Sequence, residues 1–128
     1  MSKAVAPPSF AQKRNRQKAD KLIRSAENAL ASGKASDAQA QAQQALSLAA
    51  DYGPALMIMA KIHRATGNLN EAAKLLQAAC NLPDTKIDYF RELAGLFAGA
   101  GKYDLVQQIL FAAVRKFPTD GQTYSNLG

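Results

Sequence analysis

At 128 residues the chain has room for one domain, and its net charge of +6 is concentrated at one end: residues 1–24 carry Lys3, Lys13, Arg14, Arg16, Lys18, Lys21 and Arg24 against Asp20 alone, and the rest is neutral. A single cysteine excludes an internal disulfide and fits a reducing compartment. Ala4-Val5-Ala6 before Pro7-Pro8 is too short for the apolar core of a secretory signal, and no apolar run is long enough to span a bilayer, so a cytoplasmic protein without a membrane span is expected.

Residues 1–17 read as a basic, flexible arm. Ser9 offers a helix cap, but Phe10 is the only large apolar residue before Leu22, and a helix without an apolar face is marginal in water. From there on helices are expected in pairs: residues 19–32 with 36–50, 54–66 with 70–81, and 86–100 with 102–116. Pro54 suits a first helical turn, and Pro83 and Pro118 stop the second helix of the later pairs. Val106, Ile109, Leu110, Ala113, Val114 and Phe117 form one helical stripe, and Phe90, Leu93, Ala94 and Phe97 another. No segment alternates with period two, so no strand is expected. The stripe of residues 36–50 is mostly alanine and buries little apolar area, which makes the first pair the expected start of unfolding.

The helix breaks recur at a fixed interval. Gly33-Lys34-Ala35-Ser36-Asp37-Ala38, Gly67-Asn68-Leu69-Asn70-Glu71-Ala72 and Gly101-Lys102-Tyr103-Asp104-Leu105-Val106 lie 34 residues apart. Each glycine suits the position that closes a helix in the left-handed conformation. A repeat of this length made of two helices implies a stacked, solenoid architecture.

In spacing and residue type the chain resembles the tetratricopeptide repeat (TPR) family, over residues 19–120. Its pattern is a large residue, Leu-Gly, an aromatic and a turn glycine, then Ala, an aromatic, Ala and Pro. The second copy supplies Leu56, Met59-Ala60, His63, Gly67, Ala72, Leu76, Ala79 and, one place early, Pro83. The third supplies Phe90, Leu93-Ala94, Phe97, Gly101, Val106, Leu110, Ala113 and Pro118. The first is degenerate, with Leu22, Ser25-Ala26, Ala29, Gly33, Ala38, Ala42 and Ala45. The resemblance implies an all-α fold: an α-solenoid of antiparallel helix pairs, with repeats at about 19–52, 53–86 and 87–120. Tyr124, Leu127 and Gly128 open a partial fourth repeat at 121–128, so the domain is expected to run over 18–128. The uncapped end reads as a fragment of a longer protein, the alternative being a short capping turn.

The resemblance also implies a concave groove lined by the first helix of each pair. Its positions fall on Asp20, Ile23, Arg24, Glu27 and Leu30; on Met57, Ile58, Lys61 and Arg64; and on Asp88, Arg91, Glu92, Gly95 and Ala98. The expected partner is a protein or peptide, with Arg24, Glu27, Met57, Lys61, Arg64, Asp88, Arg91 and Glu92 as binding residues and Lys61, Arg64 and Arg91 meeting its carboxylates. Some family members clamp a C-terminal carboxylate with Lys, Asn and Arg. The matching positions here hold Ile23, Glu27, Ile58, Asp88 and Glu92, so that clamp is not expected.

Other motifs take structural readings. His63, the single histidine, stands where the family packs a large aromatic, and Cys80 is expected as a structural thiol. Gly99-Ala100-Gly101-Lys102 is not a phosphate loop, because that motif requires glycine and a hydroxyl where this chain has Leu96 and Tyr103. Gly95 and Gly99 are read as allowing close approach or helix packing. Lys13-Arg14-Asn15-Arg16-Gln17-Lys18, with only Phe10 interleaved, reads as a solvated, solubilising stretch rather than a nucleic-acid or lipid site. No catalytic set, metal cluster or cofactor motif is visible. The expected function is therefore a non-catalytic interaction scaffold. The alternative is the N-terminal region of a larger bacterial enzyme of sulfotransferase or glycosyltransferase type.

Overall fold

The computed structural model describes residues 9–118. Six helices follow one another: α1 (Phe10–Ala31), α2 (Ala35–Leu48), α3 (Gly53–Ala65), α4 (Leu69–Cys80), α5 (Ile87–Gly99) and α6 (Tyr103–Lys116). Among the described residues there is no strand. Each helix packs against the next, and α1 also packs against α3, as in a solenoid of antiparallel pairs. The partial fourth repeat expected at 121–128 lies outside the described residues, as do residues 1–8 of the expected arm.

The glycine interval is expressed directly in the backbone. Gly33, Gly67 and Gly101 have φ of 78°, 84° and 76°, the left-handed region that favours glycine. The N–H after each glycine reaches back to the carbonyl five residues earlier: Lys34 to Ala29 at 2.8 Å, Asn68 to His63 at 2.7 Å and Lys102 to Phe97 at 2.9 Å. This 6→1 bond of the Schellman motif ends the first helix of each pair and satisfies a carbonyl that the helix leaves unpaired. The second helices consequently start at Ala35, Leu69 and Tyr103, at the same interval as the glycines.

The first helix departs from expectation. It starts at Phe10 rather than near Ala19, so the described part of the expected flexible arm is helical. The cause is local. Ser9 Oγ accepts from the Gln12 N–H at 3.1 Å, and Gln12 Oε1 accepts from the Ser9 N–H at 2.7 Å. This reciprocal capping box satisfies two groups at the helix start. Once Ala19, Ile23 and Ala26 are packed, extending the helix backward avoids a second nucleation. Arg16 also stacks 5.1 Å from the ring centre of Tyr52, whose hydroxyl donates to Asp20 at 2.7 Å. These contacts tie the basic half of α1 to the turn between α2 and α3.

The core has two parts. In the first, Ala19, Ala26, Ala38, Ala42 and Ala45 pack with Ile23, Ile58, Met59 and Ile62. In the second, Leu76, Phe90, Leu93, Leu96 and Phe97 pack with small residues of α4 and α6. Phe90 meets Phe117 edge-on, with ring centres 5.8 Å apart.

Candidate functional site

α1, α3 and α5 line a groove of about 510 Å³. Its floor is apolar. Ile23 and Ile58 are buried and Pro54 and Met57 half-buried, so each presents only part of its surface to the groove. Tyr89 closes one side, and burial, then the nearby carboxylates of Asp84 and Asp88, push its phenol pKa up. Its hydroxyl sits against Gly53, where any side chain would collide with it. A glycine at the start of α3 is therefore what lets α5 approach here.

The rim is charged and mixed. Glu27 comes from α1, Lys61 from α3, Lys86 from the residue before α5, and Asp88, Arg91 and Glu92 from α5 itself. Arg91 reaches Asp88 at 3.6 Å along one helix face. Arg64 reaches Glu92 at 3.3 Å and links α3 to α5. Both pairs are exposed enough to be worth about 1 kcal/mol or less. Lys61 and Lys86 enter no ion pair among the described residues, so their ammonium groups remain available to a carboxylate from outside.

Of the residues expected to bind a partner, Glu27, Met57, Lys61, Asp88, Arg91 and Glu92 line this groove together. Arg64 stands beside it, bridged to Glu92. Arg24 lies apart, in a depression on the basic face of α1. Lys86 and Tyr89 escaped the sequence reading because the family's groove positions do not include them. A lysine and an aromatic flanking Asp88 at the start of a first helix were the available signal. Ile23, Glu27, Ile58, Asp88 and Glu92, which occupy the carboxylate-clamp positions, all line the groove and supply it with apolar surface and carboxylates. A Cβ added at Gly95 or Gly99 would meet nothing within 4 Å, so neither glycine is needed for helix packing.

The remaining chemistry-bearing residues lie in the framework. His63 is half-buried in α3. Cys80 is buried, and desolvation pushes its thiol up to about 11 against a smaller lowering from Lys116, which disfavours the reactive thiolate. Among the described residues there is no cluster of three or more potential metal ligands, and no helix is long and apolar enough to cross a membrane.

No family model matches the sequence, and no curated protein matches it. Its fold does have counterparts. The type III secretion translocator chaperone SycD of Yersinia enterocolitica is similar with a TM-score of 0.75 and 16% identity, over 95% of this chain and 98% of that one. YrrB, a TPR protein with an unusual peptide-binding site, is similar with a TM-score of 0.67 and 19% identity, over 91% of this chain and 60% of its own. An O-GlcNAc transferase variant from Thermobaculum terrenum is similar with a TM-score of 0.69 and 22% identity. There the match takes in 94% of this chain and only 22% of the transferase. At these identities the likeness is one of fold.

Proposed function

We propose, from the premise that this chain has the tetratricopeptide-repeat fold, that it is a non-catalytic interaction scaffold whose groove takes an extended peptide of a partner protein. The observation that carries the reading is the pairing of an apolar floor with unclaimed cations. Ile23, Met57 and Ile58 offer a surface for one apolar side chain, and Lys61 and Lys86 stand at the rim without ion pairs of their own. A peptide with an apolar anchor and a nearby carboxylate satisfies both. YrrB and SycD support the reading, the first as a TPR protein with a peptide-binding site and the second as a type III secretion translocator chaperone. Arg64 and Arg91 contribute differently from Lys61. Their bridges to Glu92 and Asp88 would have to be shared or exchanged when a peptide carboxylate arrives.

Selection of a displayed random-peptide library on the full chain tests this. Selected peptides are expected to carry an apolar residue with an acidic neighbour, and to lose about tenfold or more in affinity for Met57→Glu and Lys61→Glu. Peptides that bind both variants as tightly as the parent would remove the groove as the site.

A second reading is favoured by the likeness to the O-GlcNAc transferase: these repeats are the N-terminal region of a longer glycosyltransferase-type or sulfotransferase-type enzyme and position its substrate. Reading the gene past the codon for Gly128 decides it. A transferase domain in frame supports this reading, and a stop codon sinks it.

A further inference from the structure

The sequence alone makes the basic entrance a solvated segment, but its conformation changes what it can do. α1 turns Ala19, Ile23 and Ala26 inward. At 3.6 residues per turn the opposite face carries Phe10, Arg14, Gln17, Lys21 and Arg24 at i, i+4, i+7, i+11 and i+14, with Lys18 beside them. All six are exposed, and Phe10 is 86% exposed. Arg14 to Arg24 spans roughly 15 Å of straight helix. None of its four cations forms an ion pair among the described residues. The one carboxylate among them, Asp20, already accepts from the Tyr52 hydroxyl.

This arrangement works against the helix itself. Like charges at i, i+3 and i, i+4 repel, and the first turn holds no acidic residue to complement the positive end of the helix dipole. The Ser9–Gln12 capping box and the Arg16–Tyr52–Asp20 contacts hold the face in shape despite that repulsion. An external anionic surface would turn the repulsion into attraction.

We propose that the outer face of α1 is a docking surface for an anionic lipid bilayer, with Arg14, Lys18, Lys21 and Arg24 against the headgroups and the Phe10 ring entering the interface. Two observations favour a bilayer over nucleic acid. The cations form a row along one side of a single uninterrupted helix, which a planar surface can meet all at once. The single aromatic stands at the tip in register with that row, where it can insert. It is not interleaved with the cations, as a base-stacking platform requires. Attraction of each basic side chain to the surface fades within a Debye length, so binding must be strongly salt-dependent. The proposal rests on α1 alone and is independent of the groove.

Sedimentation of the full chain with vesicles tests it. With phosphatidylcholine and phosphatidylserine at roughly 70:30, the protein is expected to pellet at about 50 mM salt and to be released at about 500 mM; with phosphatidylcholine alone it stays in solution. Arg14→Glu, Lys18→Glu and Lys21→Glu together should weaken vesicle binding by roughly a hundredfold or more, and Phe10→Ser by about fivefold. These residues are exposed, so the fold is retained, and an unchanged helical circular dichroism spectrum checks that. A labelled single-stranded oligonucleotide run in parallel should bind more weakly than the anionic vesicles. Failure to pellet with anionic vesicles at low salt would overturn the proposal, as would full binding by the triple variant. Tighter binding of the oligonucleotide, with Phe10→Ser leaving vesicle binding unchanged, would assign the face to nucleic acid instead.

Discussion

Between α1 and α2 the buried surface is built from Ala19, Ala26, Ala38, Ala42 and Ala45, each fully shielded from solvent. From α4 to α6 the buried surface is carried instead by Leu76, Phe90, Leu93, Leu96 and Phe97. Alanine lets two helices approach closely, but each one removes little apolar area from water. A buried leucine or phenylalanine contributes about 2 kcal/mol more. The first pair therefore leans on Ile58, Met59 and Ile62, which α3 lends to it, and on the Tyr52–Asp20 and Arg16–Tyr52 contacts. One repeat geometry thus accommodates two packing chemistries of unequal strength, which puts the stability gradient within the chain.

The largest effect is expected at the strong end of the stack. Leu93→Ala should cost about 3–4 kcal/mol, read as a lowered urea midpoint, because α5 is packed from both sides there. A cost near 1 kcal/mol would mean that the aromatic core is loosely packed. At the weak end the informative change is enlargement. Ala42→Leu should destabilise by about 2 kcal/mol if α1 and α2 are truly in close contact, and a neutral or stabilising result would show spare room between them.

Ser9→Ala should cost about 1 kcal/mol, confined to the start of α1. Amide exchange should quicken over residues 10–17 while the global unfolding midpoint stays put. In the parent chain the same measurement should find residues 19–50 exchanging faster than 87–116, and the reverse order would place the weaker packing at the other end of the stack. The last effect is titrimetric and is confined to high pH. The Cys80 thiol, with an ordinary value of 9.0, is pushed up to about 11 in the fold. The folded state therefore holds its proton longer than the unfolded one, and its contribution is lost as pH rises from about 9 to about 11. Cys80→Ser should flatten the stability profile in that window and leave it unchanged near neutrality.

The fold was legible because its punctuation is chemical. Glycine is the residue that takes a φ near 80° without strain, so three of them at one interval announce three helix ends. The start of α1 was less legible, because the apolar stripe is the wrong signal for a helix that extends outward from a packed segment. The Ser9 and Gln12 spacing was the right one. The groove was readable as far as helical spacing reaches, as in the Arg91–Asp88 pair at i, i+3. It was not readable where partners come from different helices. The Arg64–Glu92 and Tyr52–Asp20 contacts join residues 28 and 32 apart, and nothing local in the sequence pairs them.

The three glycine turns also have a consequence for how such a chain can be altered. Because Gly33, Gly67 and Gly101 share one backbone geometry and one hydrogen-bond pattern, they are interchangeable joints. Excising residues 68–101 would join Gly67 directly to Lys102 and bring α6 in behind α3. Leu110 would then take the place of Leu76, and Ala113 that of Ala79, so two of the buried positions would keep their volumes while Val106 would enlarge the site of Ala72. Recombination at these glycines can thus lengthen or shorten the stack by whole units without building a new core each time.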